Sequence, residues 1–373
     1  MQFPNKISML DHLRSDKRIR FQEVVVGGEQ VTIVCYMVAS PDLWEIPFAN
    51  ECRGVVYDNN GDCISVPFHK FFNLGENERY QRHNVDFGCV TTVLDKVDGS
   101  LITPVVINDQ VFLKSKKSFE SDVALEAQSI LTCNIRHLCK LLHAAGYTPI
   151  FELTSPKNRV VIDYGSASKL TLLAIRSYNT GLYITHRTVA SIAADYQIAC
   201  VKQYHEPVES LIDNINDTSG IEGYVIRILR GENTDFIKVK SEWYNKRHFV
   251  RTNLRIRDVA DMVVDETTDD LKAQVSAAGE DISIIEKIEK KVSNQLISIY
   301  TYADALYLLY NDDSKKDFAL AAIDNIYFGV AVALREGKTP DIIDKKVKEV
   351  WKKQYRESYS LNSVFGDFQS ETY

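Results

Sequence analysis

Between residues 20 and 245, apolar and polar side chains alternate in short runs, the period-two pattern of strands with one buried face. Residues 21–26, 30–37, 53–57, 63–66, 91–94, 101–107, 111–114, 148–152, 170–176 and 223–229 each read as a strand. Asn59-Asn60-Gly61-Asp62 and Asn108-Asp109 are residue types that tolerate positive φ and bond their own backbone, so they predict hairpin turns. One stretch breaks the alternation. Over 121–145 the apolar residues Val123, Ala127, Ile130, Leu131, Leu138 and Leu142 recur at helical spacing, which predicts one helix stopped by Gly146.

After about residue 250 the period becomes helical throughout, with Ile284, Ile285, Ile288, Val292, Leu296 and Ile299 at spacings of three and four. A second helical stretch covers 318–334, and Thr339-Pro340-Asp341 reads as an N-cap followed by proline at the first helical position. Strands first and helices afterwards predict an α+β chain of two domains, 1–248 and 249–373.

Composition narrows the class. The 373 residues are 45% apolar and 25% charged, as in folded globular proteins. No apolar run reaches the roughly 18 residues that span a bilayer, and Met1-Gln2-Phe3-Pro4-Asn5-Lys6 lacks a signal-peptide core. A cytoplasmic monomer without membrane contact is expected. The seven cysteines, all between Cys35 and Cys200, show no Cys-x-x-Cys spacing and predict reduced, mostly buried thiols. The net charge of −7 excludes a protein that coats nucleic acid with a wholly basic face. Residues after 250 hold 17 basic and 22 acidic side chains, so most of that charge lies in the helical part.

The chemistry gathers around Lys96-Val97-Asp98-Gly99, at the predicted end of a strand. Alone, a Lys-x-Asp-Gly pattern arises by chance in ~0.1 of chains this long. A lysine becomes a covalent nucleophile when burial or neighbouring positive charge lowers its pKa, so further lysines are expected nearby. Lys238-Val239-Lys240 supplies two on one face of a strand. Glu51-Cys52-Arg53-Gly54, Pro67-Phe68-His69-Lys70-Phe71-Phe72-Asn73, Phe151-Glu152-Leu153 and Ile221-Glu222-Gly223 add charges where a buried strand would carry none.

One chemistry uses the whole set. A nucleoside triphosphate offers an α-phosphorus to a nucleophile, a ribose that needs acceptors, and a pyrophosphate leaving group that needs cations and Mg²⁺. On this reading Lys96 attacks and Glu152 holds the ribose. Glu222 binds Mg²⁺, Lys238 and Lys240 offset charge on the α-phosphate, and Arg53 and Lys70 orient the leaving pyrophosphate. Gly99 lets the backbone turn close to the nucleotide.

The order Lys-x-Asp-Gly, Glu at a strand end, Glu-Gly, then Lys-x-Lys resembles the covalent nucleotidyltransferases, the superfamily of ATP-dependent ligases and messenger-RNA capping enzymes. Within it the segments Glu51-Cys52-Arg53-Gly54, Lys70-Phe71-Phe72-Asn73-Leu74, Phe112-Leu113-Lys114-Ser115-Lys116, Asn158-Arg159-Val160-Val161, Glu222-Gly223-Tyr224-Val225 and Lys240-Ser241-Glu242-Trp243-Tyr244 are similar, in order, to the T-even phage RNA ligase 1 family. The resemblance implies an antiparallel-sheet adenylyltransferase domain followed by a helical one. It implies ATP and Mg²⁺ as cofactors, a lysyl-AMP on Lys96, and an ATP site of Tyr36, Arg53, Lys70, Phe72, Asp98, Gly99, Lys114, Lys116, Glu152, Lys238 and Lys240. Glu222 is implied as a metal ligand, and Asp269 as an acidic residue of a second metal position. The implied reaction seals an RNA 5′-phosphate to a 3′-hydroxyl, on single-stranded RNA or a cleaved transfer RNA, as in phage transfer-RNA repair in the host cytoplasm. Two residues depart from the pattern: Lys117 stands where a small residue is expected, and Arg176 lies where many relatives place an aromatic against the base. A DNA ligase, a GTP-using capping enzyme and a catalytically idle RNA-binding relative are the competing readings.

Overall fold

The computed structural model describes residues 2–277 and 279–359, with the backbone alone described for 249–253 and 341. The chain forms two compact units, divided after Asn245. In the first, thirteen strands form three sheets: β1 (Ile19–Val26), β2 (Glu29–Tyr36), β3 (Arg53–Tyr57), β4 (Cys63–Ser65), β5 (Phe72–Asn73), β6 (Val90–Asp95), β7 (Ser100–Ile107), β8 (Gln110–Lys114), β9 (Tyr147–Thr154), β10 (Lys169–Ser177), β11 (Gln203–Tyr204), β12 (Gly223–Arg230) and β13 (Asn233–Lys240). The sheets run β1-β2-β3-β4, β10-β9-β7-β8 and β11-β6-β12-β13-β5. Pairing is antiparallel except between β13 and β5.

Strand alternation appears as predicted, and each predicted strand lies within one or two residues of an observed one. Asn108 and Asp109 both take positive φ, so two-residue hairpin geometry joins β7 to β8. The long helix predicted over 121–145 is two helices, Asp122–Ser129 and Cys133–Ala144. Thr132 explains the break, since its side chain caps the second helix by accepting from the Ile135 N–H. Helices Lys6–Leu13, His186–Asp195 and Val208–Asp213 were not predicted, nor were the two-residue strands β5 and β11, which are too short to show a period.

The core of the sheet unit packs Ile102, Phe151, Leu153, Leu172 and Ile175 under helix residues Ile135, Leu138 and Val189. Each such side chain, fully buried, stabilises by about 1.5–3 kcal/mol. That rigid stack positions the turn 96–99. It leaves β6 of one sheet and enters β7 of another, so Lys96 stands where the chain crosses between sheets.

The second unit is helical, built on the 27-residue helix Ser283–Leu309. Its core joins Val259, Val264, Ile285, Val292, Ile299, Val330 and Trp351. The stretch predicted over 318–334 is two helices, Lys315–Ala322 and Phe328–Arg335, and Pro340 opens Pro340–Gln354 with Thr339 at the N-cap. No helix among the described residues is long and apolar enough to cross a membrane. All seven cysteines are free, but only Cys35, Cys52 and Cys139 are buried, and Cys89 and Cys133 are exposed.

Candidate active site

A cavity of about 280 Å³ opens at the sheet crossing. Its polar lining includes Arg53, Lys96, Glu152 and Lys238, and Leu101, Leu173, Val225 and Phe236 supply apolar wall. Side chains from 53 to 238 in the sequence thus meet in one pocket.

The Lys96 backbone N–H donates to the Gly223 carbonyl (2.9 Å), which ties the turn to the start of β12. Its Nζ lies 2.6 Å from Oε1 of Glu222, and Lys240 Nζ lies 3.2 Å from the same oxygen. Glu222 is buried, at 3% exposure. A carboxylate shared by two ammonium groups neutralises only one of them, so the pair leaves excess positive charge toward the cavity. Lys238, two residues before Lys240 on β13, responds to such crowding: burial first, then Lys70, Lys96 and Arg53, lower its pKa to about 7. Glu152 moves the other way. Burial, aided by Glu222 and Asp98 and opposed by Lys96, raises it to about 8, so its carboxyl can donate as well as accept a hydrogen bond.

Asp98 braces the turn. Its Oδ1 accepts from Tyr244 Oη (2.7 Å), and its Oδ2 accepts from the backbone N–H groups of Val161 and Ile162 (2.8 Å each). Its own N–H donates to Tyr164 Oη. Asp98 thus holds the turn that carries Lys96, and it is not among the cavity-lining residues. Gly99 is also needed for a reason other than the expected turn: its φ is not positive, but a Cβ there would lie 2.2 Å from the Leu153 carbonyl of β9. The missing side chain lets β7 and β9 close beside Glu152.

Arg53 enters the cavity from the start of β3. One guanidinium nitrogen donates to the His69 carbonyl (3.1 Å), while Nε is buried without a partner among the described residues. An unpaired buried donor costs about 1–3 kcal/mol, so this atom fits an anionic ligand. Lys70 and Phe72 line a neighbouring groove with Trp44 and Glu76, with Lys70 Nζ 4.0 Å from the Phe72 ring centre. Lys116 lies over Tyr36, 3.3 Å from the ring centre. Lys114 is fully buried, which lowers its pKa to about 8, and its Nζ donates to the Ser115 carbonyl.

Arg176 takes no part in the cavity lining. It is buried and bonds Glu51 through two nitrogens (2.7 and 2.9 Å) and the Pro67 carbonyl. Burial opposes ionisation of Glu51, but Arg176 more than offsets it and holds that carboxyl below its usual range. Arg176 thus belongs to a buried ion pair outside the cavity lining. Asp269, expected at a second metal position, is a fully exposed carboxylate in the first turn of Thr268–Ala277, 3.5 Å from Lys272. Among the described residues no three His, Cys, Asp or Glu side chains gather as a metal site. A hydrated Mg²⁺ held by one or two carboxylates and substrate phosphates needs no such cluster, and the buried Glu222 fits it.

Sequence reasoning missed His186 and Arg227, which also line the cavity, and Tyr244 as partner of Asp98. His186 follows Thr185, the N-cap of its helix, and that capping signal was the one available pointer.

The family described as RNA ligase matches residues 51–244, just over half of the chain. The protein named "Putative RNA ligase" from Thermovibrio ammonificans is 27% identical over 83% of this chain and 83% of its own length. RNA ligase 1 of bacteriophage TS2126 is 30% identical over 63% of this chain and 61% of its own length. An archaeal ATP-dependent RNA ligase structure aligns over 78% of this chain and 79% of its own, with 12% identity and a TM-score of 0.47. The segment that carries Arg53, Lys96, Glu152, Glu222, Lys238 and Lys240 is the segment matched, and the chain belongs to the RNA ligase family.

Proposed function

We propose that this enzyme is an ATP-dependent RNA ligase that works through a lysyl-AMP on Lys96. The Lys96 amine attacks the α-phosphorus of ATP, an N–P bond forms, the bond to the β-phosphate oxygen breaks, and pyrophosphate leaves while the amine loses a proton. An oxygen of an RNA 5′-phosphate then attacks the same phosphorus, the N–P bond breaks, and Lys96 regains its proton. Finally a 3′-hydroxyl attacks the activated 5′-phosphorus and gives up its proton, the phosphoanhydride bond to AMP breaks, AMP leaves, and a phosphodiester remains.

The observation that carries this reading is the Lys96 amine, held 2.6 Å from Glu222, on one cavity with Glu152, Lys238 and Arg53. In the proposal Glu152 holds the ribose hydroxyls, and Lys238 and Lys240 bear on the α-phosphate. Arg53, with its unpaired Nε, and Lys70 receive the pyrophosphate. Glu222 would hold Mg²⁺, which when bound polarises the phosphate oxygens. The sheet unit 1–245 is the adenylyltransferase in this reading. The RNA is single-stranded or a cleaved transfer RNA of the kind repaired after phage infection.

Incubation with [α-³²P]ATP and a denaturing gel tests the first step. Label on the wild-type chain and more than about a thousandfold less on Lys96→Ala is the expected result, since the covalent route needs the amine. No label, equal label on the variant, or label from GTP in place of ATP would end the proposal. Joining of matched RNA and DNA strands, with a nicked anticodon loop included, identifies the nucleic acid.

A further inference from the structure

Outward from Arg53, the first sheet and the loop beside it carry two cations, Arg20 and Lys117, that the reaction scheme does not use. Arg53 on β3 is the cross-strand partner of Cys35 on β2, and Cys35 is the partner of Arg20 on β1. The register of β2 and β3 shifts between Val34 and Cys35, a bulge at Gly54, and strands lie about 4.8 Å apart, so Arg20 sits two strands, about 10 Å, outward from Arg53. Beside these strands lies the loop 115–118, closed by a hydrogen bond from the Ser115 N–H to the Ser118 carbonyl (2.9 Å). Gly54 lets the loop dock: its φ is +102°, and a Cβ there would be 2.2 Å from the Lys116 carbonyl.

The docked loop brings Lys117 and Ser118 into a groove with Arg20, Gln22, Ile33, Cys35 and Met37, and among the described residues no carboxylate lines it. The thiol at its floor reports the field: burial raises the Cys35 pKa against the pull of Lys116, Lys114, Lys117 and Arg53. Among the described residues neither Arg20 nor Lys117 makes an ion pair, while half-buried Arg18 is paired with Asp16 and Asp42. Two cations that converge on a groove lined by no acid give it a positive potential that favours an anion.

In-line displacement identifies it. The group that attacks a phosphorus and the group that leaves lie on opposite sides. Pyrophosphate leaves on the side away from Lys96, so the RNA 5′-phosphate that attacks lysyl-AMP must come from that same side, past Arg53. The β- and γ-phosphates are accounted for by Arg53 and Lys70, and a groove about 10 Å farther out lies beyond their reach.

We infer that Arg20 and Lys117, with Gln22 and Ser118 as neutral donors, form an outer phosphate site for the backbone of the 5′-phosphorylated RNA strand. This rests on the ligase reading. It also gives Lys117, the departure from the family pattern, a task.

The test is Arg20→Ala combined with Lys117→Ala, with Lys117→Glu as a second variant. Fluorescence anisotropy with a 5′-phosphorylated single-stranded RNA, without ATP, reads affinity against salt. Affinity should fall about tenfold, and the slope of log K on log salt should flatten by about 1.4, the share of two phosphates on a single strand. Lys117→Glu should bind RNA more weakly than the wild type at every salt concentration. Labelling by [α-³²P]ATP, and its dependence on ATP concentration, should stay unchanged in all three proteins. Unchanged RNA affinity and slope overturn the inference. A raised ATP requirement with unchanged RNA binding overturns it too, and gives the groove to the nucleotide's own phosphates. Failure of the wild type to label with ATP would instead remove the ligase reading beneath it.

Discussion

The two units bury different things. Among the described residues the buried charged side chains Asp98, Lys114, Arg176, Glu222, Arg227 and Asp235, together with His69 and His186, all belong to the sheet unit. The helical unit buries Thr268 as a polar residue and otherwise has Glu280, whose side chain is 6% exposed and lies 3.8 Å from Arg247. Moving an ion out of water costs several kcal/mol even after relaxation, so a fold keeps such groups only where their charge has a task. The sheet unit is organised around chemistry that its stability must tolerate, whereas the core of the helical unit is ordinary apolar packing.

Trp351→Ala should sharpen that contrast most. Trp351 is fully buried in the helical core and donates through Nε1 to Gln295 Oε1 (2.9 Å), so its loss should destabilise that unit by about 3–5 kcal/mol. Urea denaturation would show the loss, and the initial rate of labelling by ATP should not change. A matching loss of labelling would break the division between a chemical unit and a packing unit.

Lys114→Met should act with the opposite sign. Among the described residues Lys114 has no carboxylate partner, and a folded-state pKa depressed from 10.5 to about 8 means that stability present at high pH is lost as pH falls through 8. At pH 7 the apolar replacement should therefore stabilise the sheet unit, on the order of 1–3 kcal/mol, and slow lysyl-AMP formation. Lower stability in urea at that pH would mean the buried ammonium is no burden to the fold.

Glu152 shows itself through pH. Its folded pKa of about 8 lies above the ordinary 4.5, so the folded chain binds the extra proton. Its contribution is present in full below pH 4.5 and is lost as pH rises through 8. Between pH 5 and 7, a window below the main titration of Lys238, wild-type melting temperature should lose more than that of Glu152→Gln. Parallel melting curves would count against the raised pKa.

Much of this was legible in the sequence because strands and nucleotide chemistry leave local marks. Alternation marked the longer strands of the sheet unit, and the order of charged segments brought Lys96, Glu152, Lys238 and Arg53 to one cavity. The rest depends on partners chosen across the fold. Nothing near Asp98 announces that Tyr244, 146 residues away, will take its carboxylate, or that Arg176 will pair with Glu51. The helix break at Thr132 was missed because the apolar spacing continues past it, and a capping bond is decided by one hydroxyl. Lys70 and Phe72 reached a neighbouring groove because β5 is two residues long and pairs in parallel with β13, a contact that period-two reasoning does not register.

Gly54 carries a consequence for how such a chain can diverge. The lysine loop rests on a hydrogen atom where any other residue would present carbon. Copies that drift apart can therefore vary the number and order of cations at 114–118 and try new RNA ends, while position 54 has no such latitude. Every replacement there lifts the loop, and with it the whole repertoire of lysines that selection could otherwise sample.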